Sequence, residues 1–151
     1  MNAQADRCAQ SGSKSVLVVD DDESMQRALL RELRKFGYVA EACGTLGEAL
    51  GRLASKHFDL VLLDLMLPDV KGDEGIERIR SGYFDTKVVV ITGNPNFDTA
   101  FASGQLGVTK YLTKPLDLSE VISVVRQAVG MGAAHEAIDS AGNDNGGGRP
   151  E

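Results

Sequence analysis

The sequence predicts an α/β fold, a five-stranded parallel sheet with helices on both faces. Three observations predict it. Val16–Val19, Leu60–Leu63 and Val88–Ile91 are short, unbroken apolar runs, the pattern of strands buried on both sides. Between the runs lie segments whose apolar residues recur every three or four positions, the helical period. Strands that alternate with helices pair in parallel through right-handed crossovers.

Residues 1–14 are rich in Gln, Ser, Ala and Gly and read as a disordered leader. The first strand, Val16–Val19, runs into Asp20, Asp21 and Asp22. Asp22 or Ser24 can cap the helix that follows. That helix turns Met25, Leu29, Leu33 and Phe36 toward a core, with Arg27, Arg31 and Arg34 beside them, and Gly37 stops it. Residues 38–43 form a less apolar second strand, expected near the edge of the sheet. Thr45 caps a second helix with Leu46, Ala49, Leu50 and Leu53 inward.

The third strand is the most apolar and ends in Asp64; Pro68 shows that the chain has left the sheet four residues later. A short helix over 74–81 brings Ile76 and Ile79 inward. The fourth strand, 87–92, ends in Thr92. A loop at 93–96 precedes a weak helix over 97–105, weakened by Ser103 and Gly104. The fifth strand, 108–113, ends at Lys114-Pro115. Asp117 with Glu120 has the form of a capping box for the last helix, whose inward stripe is Leu118, Val121, Ile122, Val125 and Val129. The domain is thus 15–130, and 131–151 reads as a flexible Gly-rich tail.

Bulk properties exclude several classes. Net charge is −6 over 151 residues, the wrong sign for a nucleic-acid-binding footprint. No apolar run approaches the length of a membrane span, and no secretory signal opens the chain. Two cysteines, Cys8 and Cys43, make neither a disulfide framework nor a metal-site spacing, so a reduced cytoplasmic setting is expected. Cys43 is expected to be a small core residue.

In a parallel sheet the strand ends share one edge, where ligands bind. That edge collects Asp20, Asp21, Asp64, Thr92 and Lys114. Three crowded carboxylates without His or Cys ask for a hard divalent cation, Mg²⁺ above others. A lysine and a hydroxyl opposite suit a phosphoryl group, and a carboxylate can be the nucleophile that receives it.

The motifs Val18-Val19-Asp20-Asp21, Leu62-Leu63-Asp64-Leu65-Met66-Leu67-Pro68, Gly72, Val90-Ile91-Thr92-Gly93 and Tyr111-Leu112-Thr113-Lys114-Pro115 stand in this order. Together the chain resembles the receiver domain of bacterial two-component response regulators, over about residues 15–130. The resemblance implies a flavodoxin-like, CheY-like fold. It implies that Asp64 accepts phosphate from a sensor histidine kinase or phosphotransfer protein. It implies that Mg²⁺ is held by Asp20, Asp21 (the more direct of the two), Asp64 and the backbone carbonyl of Met66. Thr92 and Lys114 then bind the phosphoryl group and Tyr111 is the aromatic switch; the Lys-Pro bond is often cis in the family, and the sequence leaves the Lys114-Pro115 isomer open. A packed strand tyrosine is the competing reading of Tyr111. Asp22 and Asp69 read as solvated neighbours of the motifs, and the arginine stripe as a solvated face or a kinase-docking surface.

Met66 is apolar and cannot orient an attacking water, which leaves Asn94 for that part; slow to moderate self-dephosphorylation is expected. With only a tail after 130, the expectation is a stand-alone regulator that signals to an unknown downstream protein, with homodimerisation through the last helix and strand as one route. Three other classes compete with this reading. Asp20-Asp21-Asp22-Glu23-Ser24 has the D-x-D-x-[ST] look of a haloacid-dehalogenase-like phosphatase with Asp20 as nucleophile. That reading leaves Asp64 unexplained and lacks a late acidic pair and a cap domain. An FMN-binding flavodoxin needs a phosphate cradle where this chain has three aspartates. A receiver that works without phosphorylation would not need the full residue set.

Overall fold

A computed structural model describes residues 13–70, 74–83, 85–93 and 107–130. Among them are five strands and four helices. In chain order these are β1 (Ser15–Val19), α1 (Glu23–Lys35), β2 (Val39–Cys43), α2 (Leu46–Ser55), β3 (Leu60–Asp64), α3 (Glu74–Gly82), β4 (Lys87–Thr92), β5 (Lys110–Thr113) and α4 (Leu118–Val129). All strand pairs are parallel, in the order β2-β1-β3-β4-β5. The expected helix at 97–105 and the 93–96 loop beyond Gly93 lie outside the described residues, as do the leader to residue 12 and the tail.

The period-two alternation of strands divides the core. Leu17, Val19, Val61, Leu63, Val88 and Val90 face Leu46, Ala49 and Leu53 of α2 and Ile76 and Ile79 of α3. Val16, Val18, Leu60, Leu62, Val89 and Ile91 face Leu29 and Leu33 of α1 and Val121, Ile122 and Val125 of α4. Every residue of β3 is buried, because it lies in the middle of the sheet with helices over both faces. Each fully buried leucine there contributes about 1.5–3 kcal/mol. The edge position expected for β2 is observed. Its burial is mixed, and Glu41 is satisfied sideways by Arg52 at 2.8 Å and by Lys56, both from α2.

Helix ends follow the expected chemistry. The Asp22 carboxylate accepts the amides of Ser24 and Met25, Thr45 Oγ1 accepts that of Glu48 at 3.1 Å, and Asp117 accepts that of Ser119 at 2.9 Å. Past Phe36 the chain reverses at Gly37 with φ 90°, a conformation that costs a residue with a Cβ about 1 kcal/mol. One boundary differs from expectation: β5 begins at Lys110 rather than 108. It is an edge strand whose ladder with β4 runs only from Val89↔Lys110 to Thr92↔Thr113, so Val108 is half-buried without being in register.

Candidate metal centre at the carboxyl edge of the sheet

The register brings the acids together. Val19 of β1 is level with Leu63 of β3, so Asp20, one residue past β1, emerges beside Asp64. Ligand oxygens of Asp20, Asp21 and Asp64 all lie within 4.8 Å of one another. Asp20 and Asp64 are buried, and Asp21 is exposed. Lys114, just past β5, reaches across: its Nζ lies 3.1 Å from Asp64 Oδ2 and 3.5 Å from Asp20 Oδ2. The ammonium therefore bridges the two buried carboxylates.

Each acid is held by the backbone. Asp20 Oδ1 accepts the Asp22 amide at 2.9 Å, and Asp64 Oδ1 accepts the Met66 amide at 2.9 Å. Asp20 Oδ2 has no hydrogen-bond donor among the described residues. A buried carboxylate oxygen with only a charge partner at ion-pair distance is poorly solvated. Burial accordingly raises the Asp20 carboxyl above its usual pKa; the Asp22 amide works against this, the charge of Asp64 adds to it, and Lys114 opposes it. Burial pushes the Lys114 ammonium down, but the hydrogen bond and charge of Asp64 together with Asp20 outweigh this, so its pKa is raised. Among the described residues the three acids outnumber the one cation, Lys114. An oxygen-only donor set with an unsatisfied buried oxygen fits a hard divalent cation.

The remaining expected residues fall around this cluster. Thr92 is fully buried at the end of β4, one position past Ile91, the register partner of Asp64. Its carbonyl accepts the Lys114 amide at 2.8 Å, which ties the two strand ends together. Tyr111 is level with Val90, two positions short of Thr92, and half-buried against the α2–α3 side of the core. Met66 projects outward and is 58% exposed. Asn94 lies outside the described residues. The Lys114–Pro115 peptide is cis.

Comparison with known proteins decides the family. Residues 16–126 match the family model of the response regulator receiver domain. The chain belongs to that family. Over 117 residues it is 33% identical to the acid tolerance regulatory protein ActR of Rhizobium meliloti (strain 1021), covering 78% of this chain and 60% of that protein. It is 34% identical to the transcriptional regulatory protein PmrA of Pectobacterium parmentieri, over 76% of this chain and 51% of that one. The chain thus spans half to three-fifths of these relatives. Among solved structures it is similar to a CheY-like receiver domain protein from Methanospirillum hungatei JF-1, with a TM-score of 0.71, 25% identity and coverage of 86% and 99%. A signal receiver domain from Pseudomonas fluorescens Pf-5 gives a TM-score of 0.72 and 30% identity over 79% and 88%. Receiver domains are signalling domains of two-component systems in which Mg²⁺ and phosphorylation are typical. No helix among the described residues is long and apolar enough to cross a membrane.

Two residues of this receiver domain do more than sequence reasoning expected. Asp69 was expected to be solvated. It is exposed, yet its two oxygens accept the amides of Leu46 and Gly47, each at 3.0 Å. It caps α2 from a loop more than twenty residues further along the chain, a partnership that local spacing does not signal. The two amides hold the Asp69 carboxyl below its usual pKa. Asp69→Ala is expected to cost about 1 kcal/mol of stability at neutral pH, as lost caps do, measured by urea unfolding. A depressed folded pKa means that this contribution is present above the unfolded value near 3.8 and disappears as pH falls through the folded one. The second residue is Gln26, whose Nε2 donates to the Asp20 carbonyl at 2.6 Å. The expected core role of Cys43 holds: burial pushes its thiol up to about 11.

Proposed function

We propose that this receiver domain carries a phosphoryl group on Asp64, delivered by a sensor histidine kinase or phosphotransfer protein, and signals through altered protein contacts. The observation that carries the reading is the Lys114 ammonium at 3.1 Å from Asp64 Oδ2, at the mouth of an acid cluster that fits a divalent cation. Asp20, Asp21, Asp64 and the Met66 carbonyl hold Mg²⁺ in this reading. The bound ion neutralises the acids and the phosphoryl oxygens.

The chain's own residues do the rest. The Met66 amide and Lys114 orient the Asp64 carboxylate. A carboxylate oxygen attacks phosphorus, the bond from phosphorus to the donor's leaving group breaks, and the leaving group keeps the electron pair. The new group brings about −1.5 to −2 charge. Lys114 then pairs with a phosphoryl oxygen, and Thr92 donates its hydroxyl to another. Because the Lys114 amide is bonded to the Thr92 carbonyl, the ends of β4 and β5 respond together. Tyr111, on β5, follows as the switch. The changed surface shifts the population that a downstream partner, or a second copy of the chain, binds.

Incubation with Mg²⁺ and acetyl phosphate, followed by intact-mass measurement, tests this. The mass gain of one phosphoryl group is expected in the wild type and in Asp22→Asn, where only a helix cap changes, and is absent in Asp64→Asn. Label on Asp20, or turnover of free phosphomonoesters, would instead support the phosphatase reading. Phosphoryl lifetime follows from Met66, whose exposed thioether offers an attacking water no hydrogen bond. Met66→Asn is expected to shorten the lifetime several-fold in a decay assay; an unchanged rate would remove Met66 from that role, leaving Asn94 as the candidate.

A further inference from the structure

The ladder of β1 ends at Val19, and α1 begins only at Glu23 under its Asp22 cap. Of the three acids between them, Asp20 and Asp21 have left the strand and precede the cap. Asp20 is anchored at its amide, which donates to the Cys43 carbonyl at 3.0 Å, and at its side chain, where Oδ1 accepts the Asp22 amide. Neither bond holds the peptide plane between Asp20 and Asp21 directly. That plane is rigid and joins the Cα atoms of both acids, so where it stands against the sheet sets how both carboxylates approach Asp64.

The carbonyl of this plane is where Gln26 Nε2 donates, at 2.6 Å. Gln26 belongs to α1, so the plane is tied to a helix. Gly44 lies beside the tie: a Cβ there would stand 3.7 Å from Gln26 Nε2 and 3.8 Å from the Asp21 Cα.

We infer that Gln26 is a positioning residue for the cation site, fixing where the 20–21 segment stands and with it the spacing of its two carboxylates from the third, Asp64. The inference rests on the proposed reading that Asp20 and Asp21 hold the cation. Mg²⁺ demands near-octahedral geometry at short distances, so it is sensitive to a small change in that spacing.

Gln26→Met keeps length and helix propensity but removes the donor; Gln26→Leu does so with a different shape. Arg27→Met, next along the helix and solvent-exposed, is the control. Calorimetric titration of the full chain with Mg²⁺, and of Mn²⁺ followed by its paramagnetic resonance signal, is expected to show about tenfold weaker binding in both Gln26 variants, the low end for partners that orient metal ligands, and less than about a twofold change in the control. In acetyl phosphate labelling, the half-saturating Mg²⁺ concentration rises by about the same factor, whereas the rate at saturating Mg²⁺ stays within about twofold of wild type. Unchanged Mg²⁺ affinity in the Gln26 variants, with or without a lower metal-free thermal midpoint, overturns the inference and leaves the receiver reading intact. A labelling rate that stays low at saturating Mg²⁺ overturns it too, because the defect would then lie outside cation positioning. A wild-type chain that neither binds Mg²⁺ nor takes label overturns both readings.

Discussion

Lys114→Met is expected to lower the unfolding free energy of the metal-free protein by about 2 kcal/mol at pH 7.5, and Mg²⁺ to recover most of that loss. Removing one partner of a buried ion pair costs about 3–5 kcal/mol because the charges left behind are uncompensated. Lys114 is partly exposed, with 29% of its side chain open to solvent, so water reduces the figure. The charges left behind are Asp20 and Asp64, both buried, and Asp20 Oδ2 has no donor to fall back on among the described residues. The pH dependence follows from the sign of the shift. The folded pKa of Lys114 is raised, so its contribution is complete below the unfolded value near 10.5 and fades as pH rises through the folded one. At the acid end the penalty in the variant shrinks, because a protonated Asp20 no longer repels Asp64. Urea unfolding in EDTA and in Mg²⁺ at pH 7.5 reads the loss and its recovery, and a pH series run down through the carboxylate range and up past 10.5 reads the two pH effects. A variant as stable as wild type in EDTA would mean that the ammonium does not offset the acid pair.

The parts of this site that could be read from sequence are those that chain direction dictates. A parallel sheet puts all its strand ends on one side, so Asp20, Asp64, Thr92 and Lys114 had to meet once β1, β3, β4 and β5 were recognised. Helix caps at Asp22, Thr45 and Asp117 were legible because a cap and its amides are two or three residues apart. Asp69 was not, because its amides belong to Leu46 and Gly47 and only the packing of α2 beside the β3–α3 loop brings them near. Gln26 was not, because its acceptor is a main-chain carbonyl and a helical glutamine is an ordinary surface residue by spacing. The different environments of the adjacent acids were also hidden. Asp20 is buried and Asp21 exposed; the Asp20 amide is still held to β2 through the Cys43 carbonyl. The resemblance made Asp21 the more direct ligand; the fold adds that burial makes Asp20 costly to ionise.

That difference gives Asp20→Asn an unusual expected result: a gain in metal-free stability with the loss of the response to Mg²⁺. The amide can keep the Asp22 hydrogen bond through Oδ1 and turn Nδ2 toward the carboxylate of Asp64. It carries no charge into the buried site. Relief of a buried charge is worth about 1 kcal/mol at the low end of the range seen when buried ions are replaced by neutral groups, and the lost pairing with Lys114 keeps it there. The sign is tested by pH. The folded pKa of Asp20 lies above its unfolded value near 3.8, so the folded state holds more protons in that window. The wild type therefore loses stability relative to the variant as pH rises from about 3.8 through the folded value, and the gap then stays constant to neutral pH. Taking the difference between the two proteins removes Glu41, Asp69 and Asp117, whose pKa values are lowered and which push the other way in both. With Mg²⁺ the order reverses. A ligand at one hundred times its dissociation constant adds about 2.7 kcal/mol to a protein that binds it only when folded. The wild type gains this; the variant, short of one carboxylate, gains little. Thermal or urea unfolding across a Mg²⁺ titration shows the crossing of the two stabilities. Parallel gains in both proteins would show that Asp20 is not a ligand, and a less stable metal-free variant would show that Lys114 already compensates its charge in full.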